Sequence, residues 1–293
     1  MSIAPRTLCL TTLAMVAFAG NSLLCRIALK HTDIDATSFT AIRLIAGALM
    51  LGLIIHLRGG RISKGGSWSS ALALFTYAAC FSIAYISLPA GVGALLLFGA
   101  VQITMIGYGL WVGERLRGMQ VMGLLIALAG LVGLLLPGLS TPPLQGAVLM
   151  LVAGTAWGIY SLLGKGVANP IQSTGGNFLR AVPFAIILSL IFRPAISFDC
   201  AGVLYAICSG AIASGVGYAI WYHALPKLKA TQAAIVQLSV PIIAAVGAIL
   251  VLNEAMTLRL GLASVAVLGG IALVIWQQRS SRKELATSNS DIN

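Results

Sequence analysis

Five membrane-length apolar stretches recur in the same order about 140 residues later in this 293-residue chain, with charges and prolines in matching places. An odd number of spans per half forces the two halves to insert in opposite senses, so the duplication predicts two related bundles of opposed topology. Each run is roughly 20 residues long, the length a helix needs to cross a ~30 Å hydrocarbon core. None shows the period-2 alternation of a membrane barrel strand. Composition agrees: 59% of residues are hydrophobic and 9% charged, against about 25% charged in a soluble domain. The fold class expected is an all-α polytopic membrane protein with ten transmembrane helices in two five-helix inverted repeats.

The spans are expected at roughly 8–28, 36–57, 68–87, 91–112, 119–137, 145–165, 174–192, 200–222, 229–252 and 257–277. Breaker residues separate them at Arg58-Gly59-Gly60-Arg61, Leu88-Pro89-Ala90 and Thr141-Pro142-Pro143. The organisation is therefore a first repeat over 5–138, a second over 139–280, and a polar, disordered cytoplasmic tail over 281–293. Arg6 and Ala17-Phe18-Ala19 imitate a cleavable signal, but the apolar run continues to Leu29, and its partner in the second half is internal. It is read as a retained span.

The repeat is legible residue by residue. Ala17–Arg26 matches Ala156–Lys165, Arg43 matches Arg180, Leu88-Pro89 matches Leu225-Pro226, Ala90–Leu96 matches Ala230–Val236, and Glu114 matches Glu254. With the N-terminus inside, twelve Lys and Arg fall in inner segments and four (Arg26, Lys30, Arg193 and Arg259) in outer ones. That positive-inside bias places both termini in the cytoplasm and sets Glu114 and Glu254 on opposite sides.

The formal charge of +11 comes from basic residues standing singly or in threes at span ends, without interleaved aromatics. It sets topology and gives no nucleic-acid footprint. Cys9, Cys25, Cys80, Cys200 and Cys208 have neither CxxC nor metal-ligand spacing, and read as small apolar side chains. No metal or other cofactor is expected. No HExxH, GxSxG or Walker loop occurs, so neither enzymatic chemistry nor direct ATP drive is expected.

Ten spans in two halves, the Ala153-Gly154-Thr155-Ala156-Trp157-Gly158 signature, the span-two Arg43 and the Glu114 closing span four together resemble EamA-type carriers of the drug/metabolite transporter superfamily. The resemblance covers about residues 5–280. Its first half departs from the signature, with Phe18-Ala19 standing where the second half has Trp157-Gly158. The resemblance implies movement of small metabolites, frequently amino-acid export, including aromatic and other neutral amino acids.

Filtering polar and aromatic residues by depth, because Trp and Tyr at span ends mark the lipid interface, leaves a candidate substrate set. It comprises Asn21 and Ser22 in span one, Tyr77 and Phe81 in span three, and Gln102 in span four. Span six adds Trp157, Tyr160 and Ser161, span eight Ser214 and Tyr218, and span nine Gln237. Amides facing lipid are costly, so Asn21, Gln102 and Gln237 must face protein or water; interhelical hydrogen bonding is the alternative to a cavity role. Trp157, Tyr160 and Ser161 share one i, i+3, i+4 face. Trp68, Trp111 and Trp276 read as interfacial, while Trp221 and Tyr222 fit either class. Pro241, placed in mid-span nine, would free the Gln237 carbonyl as an acceptor. Arg43 and Arg180 lie about two turns inside their spans, where snorkelling or helix bracing is favoured over contact with a carboxylate.

No Asp or Glu occupies a mid-membrane position, which argues against the buried carboxylate common in proton-coupled pumps. The reading reached is a bacterial inner-membrane secondary transporter. It exports aromatic or neutral amino acids or related small metabolites by alternating access, without proton drive, and its partners are a small-molecule substrate and the bilayer. It functions as a monomer. Carriage of drugs, nucleosides or sugar-like compounds, and a non-transporting scaffold or receptor, stay open as alternatives.

Overall fold

The computed structural model describes residues 5–62, 65–113, 118–136, 142–192, 196–224 and 236–290. Glu114, Arg115, Arg117, Arg193 and the whole of 225–235, with Leu225-Pro226 and Ala230–Ile235 of the repeat, lie outside the described residues. So do the side chains from Ile275 onward, including that of Trp276.

The helices are α1 (Pro5–His31), α2 (Ala36–Leu57), α3 (Trp68–Tyr85), α4 (Ala90–Trp111), α5 (Gly118–Leu135), α6 (Leu144–Leu163) and α7 (Pro170–Ile191). They are followed by α8 (Cys200–Ala224), α9 (Ser239–Leu252) and α10 (Leu258–Ser290). No strand occurs among the described residues. Eight of these helices, α1 to α8, are long and apolar enough to cross a membrane. The apolar part of α9 and of α10 is shorter. The chain is a multi-pass membrane protein.

Short polar side chains start the helices by accepting the N–H groups that an α-helix leaves unpaired in its first turn. Asp35 caps α2, Ser67 caps α3, Asn169 caps α7 and Asp199 caps α8. The polar stretch beyond 280, expected to lack structure, continues α10 as helix to Ser290. Residues such as Arg282, Lys283, Glu284 and Ala286 are good helix formers, and extension from an existing helix avoids the cost of nucleation.

Two features of helix geometry differ from expectation. Pro241 lies in the first turn of α9 instead of its middle, because the chain turns at Leu238 and α9 begins at Ser239. There a missing N–H costs nothing. The middle of α8, Cys208–Val216, is wound as a π-helix. Its Gly210 lies so close to α2 that a Cβ there would collide with the Arg43 carbonyl oxygen. The small Ser209-Gly210-Ala211 run permits that approach.

The packing order is specific. Helix α5 lies against α10, α2 against α7 and α8, α3 against α6 and α7, α4 against α6 and α9, and α1 against α8 and α9. Inward faces meet in one continuous buried cluster that includes Phe39, Phe81, Tyr85, Leu95 and Phe178.

Candidate functional site

Around the crossing of α1, α2, α3, α6 and α8 the core is neither wholly apolar nor wholly aliphatic. From α1, Asn21 donates through Nδ2 to the Tyr77 hydroxyl of α3 at 3.2 Å, and its Oδ1 accepts from Ser209 Oγ of the α8 π-segment at 2.6 Å. From α2, Arg43 Nη2 donates to the same Tyr77 oxygen at 3.0 Å. The Arg43 guanidinium carbon stands 5.2 Å from the Tyr77 ring centre and 5.0 Å from that of Phe81, within cation–π range. Four side chains from four helices thus form one chain of polar contacts inside the bundle.

Aromatic rings cover that chain on one side. Trp157 is the hub, with ring centres 4.9 Å from Tyr77, 5.3 Å from Tyr160 and 5.4 Å from Tyr218. Tyr218 in turn meets Phe18 at 5.5 Å, Phe178 at 5.9 Å and Tyr222 at 6.3 Å. Tyr160 accepts from Asn177 Nδ2 at 3.3 Å. The helical spacing puts Trp157 and Tyr160 on one face of α6, where Trp157 meets α3 and α8 and Tyr160 meets α7.

Asn21, Tyr77, Phe81, Trp157, Tyr160 and Tyr218 are therefore brought together. The remaining candidates are placed as follows. Ser22 is buried on α1. Ser161 donates to the Trp157 backbone carbonyl at 2.8 Å, so its hydroxyl is engaged by its own helix. Ser214 is buried on the π-segment. Gln102 is buried on α4, and Gln237 is half-buried just before α9.

Sequence reasoning kept Phe18, Asn177, Phe178 and Ser209 out of the candidate set, favoured snorkelling or bracing over contact with a carboxylate for Arg43, and did not assign Trp221 and Tyr222. Trp221 is buried, its ring 6.2 Å from Phe18, and Tyr222 stacks on Tyr218, so both belong with the core. Trp68 and Trp111 are exposed, as interfacial residues should be. The signal for Arg43 was available: a cation two turns deep with no acid near it in sequence. It is 2% exposed and does not snorkel. Its Nε and Nη1 are buried without hydrogen-bond partners. Arg180, its repeat counterpart, donates to the backbone carbonyls of Gly65 and Gly176 and is a brace.

A second polar centre lies at one end of the bundle. Arg26 Nε meets Glu254 Oε1 at 3.2 Å, and Arg26 Nη1 donates to the carbonyls of Tyr85 and Ile86 at 2.8 and 3.0 Å. Glu254 Oε2 accepts the Ala90 N–H at 2.7 Å, capping α4, whose preceding Pro89 offers no side-chain cap. A cleft of about 400 Å³ opens beside this pair, lined by residues including Lys30, Pro143, Met256 and Leu260. No member of the aromatic cluster lines it.

The profile of the EamA-like transporter family matches this chain twice, over residues 5–136 and 144–276. The chain belongs to that family and is a membrane transporter by class. An uncharacterized protein of Pseudomonas aeruginosa is 59% identical over 271 residues, covering 92% of this chain and 94% of that one. An uncharacterized transporter of Archaeoglobus fulgidus is 25% identical, covering 93% and 98%. A probable amino-acid metabolite efflux pump of Escherichia coli is 23% identical, covering 69% of this chain and 73% of the pump. A solved crystal structure shares the fold with a TM-score of 0.66 at 18% identity, over 95% of this chain and 100% of that one.

Proposed function

We propose that this transporter exports aromatic or neutral amino acids, or closely related metabolites, across a bacterial inner membrane by alternating access. The observation that carries the reading is the Trp157 hub. An indole in contact with three tyrosines, beside the Asn21–Tyr77–Arg43 chain, offers flat apolar walls for a side chain next to polar groups for its head. The name of the Escherichia coli relative, a probable amino-acid metabolite efflux pump, supports efflux of amino-acid metabolites in general.

Ten transmembrane helices in two inverted five-helix repeats supply the mechanism. In support, the helix neighbours map onto themselves when each helix is exchanged for the one five places on: α3–α6 becomes α8–α1, α4–α6 becomes α9–α1, and α3–α7 becomes α8–α2, while α2–α7 and α5–α10 pair with themselves. The doubled family match is consistent with the same layout. Such halves rock about a site at their interface, which is where the aromatic cluster lies. With cytoplasmic termini, the Arg26–Glu254 pair closes the outer end. The described carboxylates Asp33, Asp35, Asp199 and Glu254 stand at helix ends or in connections, which favours facilitated or exchange transport over proton drive.

Purified protein in liposomes preloaded with one unlabelled amino acid at a time would test this. Counterflow of labelled phenylalanine or another neutral amino acid, surviving abolition of the pH gradient, is expected. Absence of counterflow for all twenty removes the substrate class, and collapse without the gradient removes the coupling.

A further inference from the structure

Among the described residues three arginines reach the interior of the helix bundle, and the fold treats them differently. Arg26 has a carboxylate and two backbone carbonyls. Arg180 has two backbone carbonyls. Arg43, the most deeply buried of them at 2% exposure, has among the described residues only the Tyr77 hydroxyl as a hydrogen-bond partner. A guanidinium carries five N–H donors, and the nitrogens that hold three of these, Nε and Nη1, are buried and unpaired. Such an uncompensated charge is strongly unfavourable, and the cation–π contacts with Tyr77 and Phe81 offset a small part of it. Nor does the hydroxyl it meets neutralise it. Tyr77 oxygen already accepts from both Asn21 and Arg43, so its own hydrogen is left for a further acceptor.

We infer that Arg43 and Tyr77 form a carboxylate subsite, at which a carboxylate on the transported solute is obligatory and an ammonium group is dispensable. The inference rests on reading the central cluster as the substrate site and narrows what that site accepts. An anionic oxygen there would take N–H bonds from Arg43 and the O–H of Tyr77, charge-assisted contacts of the strong kind. An aromatic or apolar body on the same solute would meet Trp157, whose ring adjoins Tyr77 at 4.9 Å. No described carboxylate faces the cluster to receive an ammonium; Asp33, Asp35 and Asp199 lie in connections and Glu254 is held by Arg26. The class recognised is therefore an organic monocarboxylate with an apolar side chain, of which a neutral amino acid is one case and its des-amino counterpart another.

The test uses phenylalanine, 3-phenylpropionate, phenethylamine and phenylalanine amide as competitors and as ligands in a thermal-shift assay on purified wild-type protein. The two acids are expected to bind and the amine and amide to fail. Arg43→Gln should weaken acid binding roughly ten- to hundredfold, with Arg43→Lys partly restoring it. Because Arg43→Gln removes a buried unpaired charge, its melting temperature without ligand should hold or rise. Equal binding of acid and amide, or acid binding untouched by Arg43→Gln in a folded variant, overturns the subsite while leaving amino-acid transport standing. Acid binding that depends on Arg43, in a protein that exchanges no amino acid, keeps the subsite and overturns the export reading. A melting temperature that falls in both variants, with acid binding unchanged, makes Arg43 a brace and overturns the inference. Failure of either acid to bind the wild type does so too.

Discussion

Glu254 serves two partners at once, Arg26 through one carboxylate oxygen and the first N–H of α4 through the other. It thereby ties the end of α1 to the start of α4 and the connection between α9 and α10. Both side chains of the pair are 10% exposed, so the contact is screened far less than a surface ion pair.

Glu254→Gln should therefore cost more than a surface charge change, about 1–3 kcal/mol of stability, since Arg26 keeps only its two backbone carbonyls. In a double-mutant cycle with Arg26→Gln, melting in detergent should reveal coupling of about 1 kcal/mol or more. Strict additivity would mean that the two residues act independently and that the bundle end is held by apolar packing.

Asp35 gives a pH-dependent expectation. Partial burial pulls its carboxyl upward, but bonds from Ser38, Thr37 and Ser197 outweigh that and leave it below the usual carboxylate range. A group whose folded-state pKa is depressed contributes stability above its unfolded pKa of about 3.9 and loses it as pH falls through the folded value. Asp35→Ala should cost about 1 kcal/mol near neutrality through loss of the α2 cap. Asp35→Asn keeps an oxygen for the cap and should flatten the loss of stability below about pH 4. Acid melting curves that superimpose for Asp35→Asn and wild type would show the charge to be irrelevant.

What could be read from the chain, and what could not, divides along the range of the interactions. A run of 20 apolar residues has one good solution in lipid, so α1 to α8 stand where the runs lie. Depth and helical spacing likewise marked Tyr77, Trp157, Tyr160 and Tyr218, because a large ring far from the interface has to find other rings. Arg43 and Arg180 divide that reasoning: Arg180 braces, as favoured, whereas Arg43 is buried and neither snorkels nor finds a bracing carbonyl among the described residues. They occupy matching positions, but the carbonyl that satisfies Arg180 comes from Gly65, 115 residues away, and nothing equivalent reaches Arg43. The Ser161 hydroxyl stands differently for a local reason: it folds back to its own helix, an option open to any serine in a membrane helix. The π-winding of α8 and the late start of α9 leave no mark in hydropathy, since both change hydrogen-bond partners without changing composition.

The contrast between the two arginines is itself testable. Arg180→Ala removes the bond to the Gly65 carbonyl that holds the α2–α3 connection against α7, where Ser67 N–H also donates to Asn177 Oδ1 at 2.8 Å. Its effect should appear as about 1–3 kcal/mol of lost stability and faster proteolysis of that connection. Competition among substrates by the surviving folded protein should stay unchanged. A shift in substrate preference would instead place Arg180 in the transport path.

Trp157 and Ser161 share a face of α6 but should separate in function. Trp157→Ala removes the ring that touches Tyr77, Tyr160 and Tyr218, and lost contacts of ~1–3 kcal/mol correspond to substrate binding weakened roughly ten- to hundredfold. Some stability will go with it, because the indole also packs against the core. Ser161→Ala gives up only an intrahelical bond to the Trp157 carbonyl, so binding and melting should both stay within about 0.5 kcal/mol of wild type. Binding isotherms measured beside melting curves distinguish the outcomes. If Trp157→Ala lowers the melting temperature while leaving affinity intact, the aromatic hub is packing and the substrate wall lies elsewhere. If Ser161→Ala weakens binding as much as Trp157→Ala, the hydroxyl must leave its helix when substrate arrives, and the α6 face rearranges during transport.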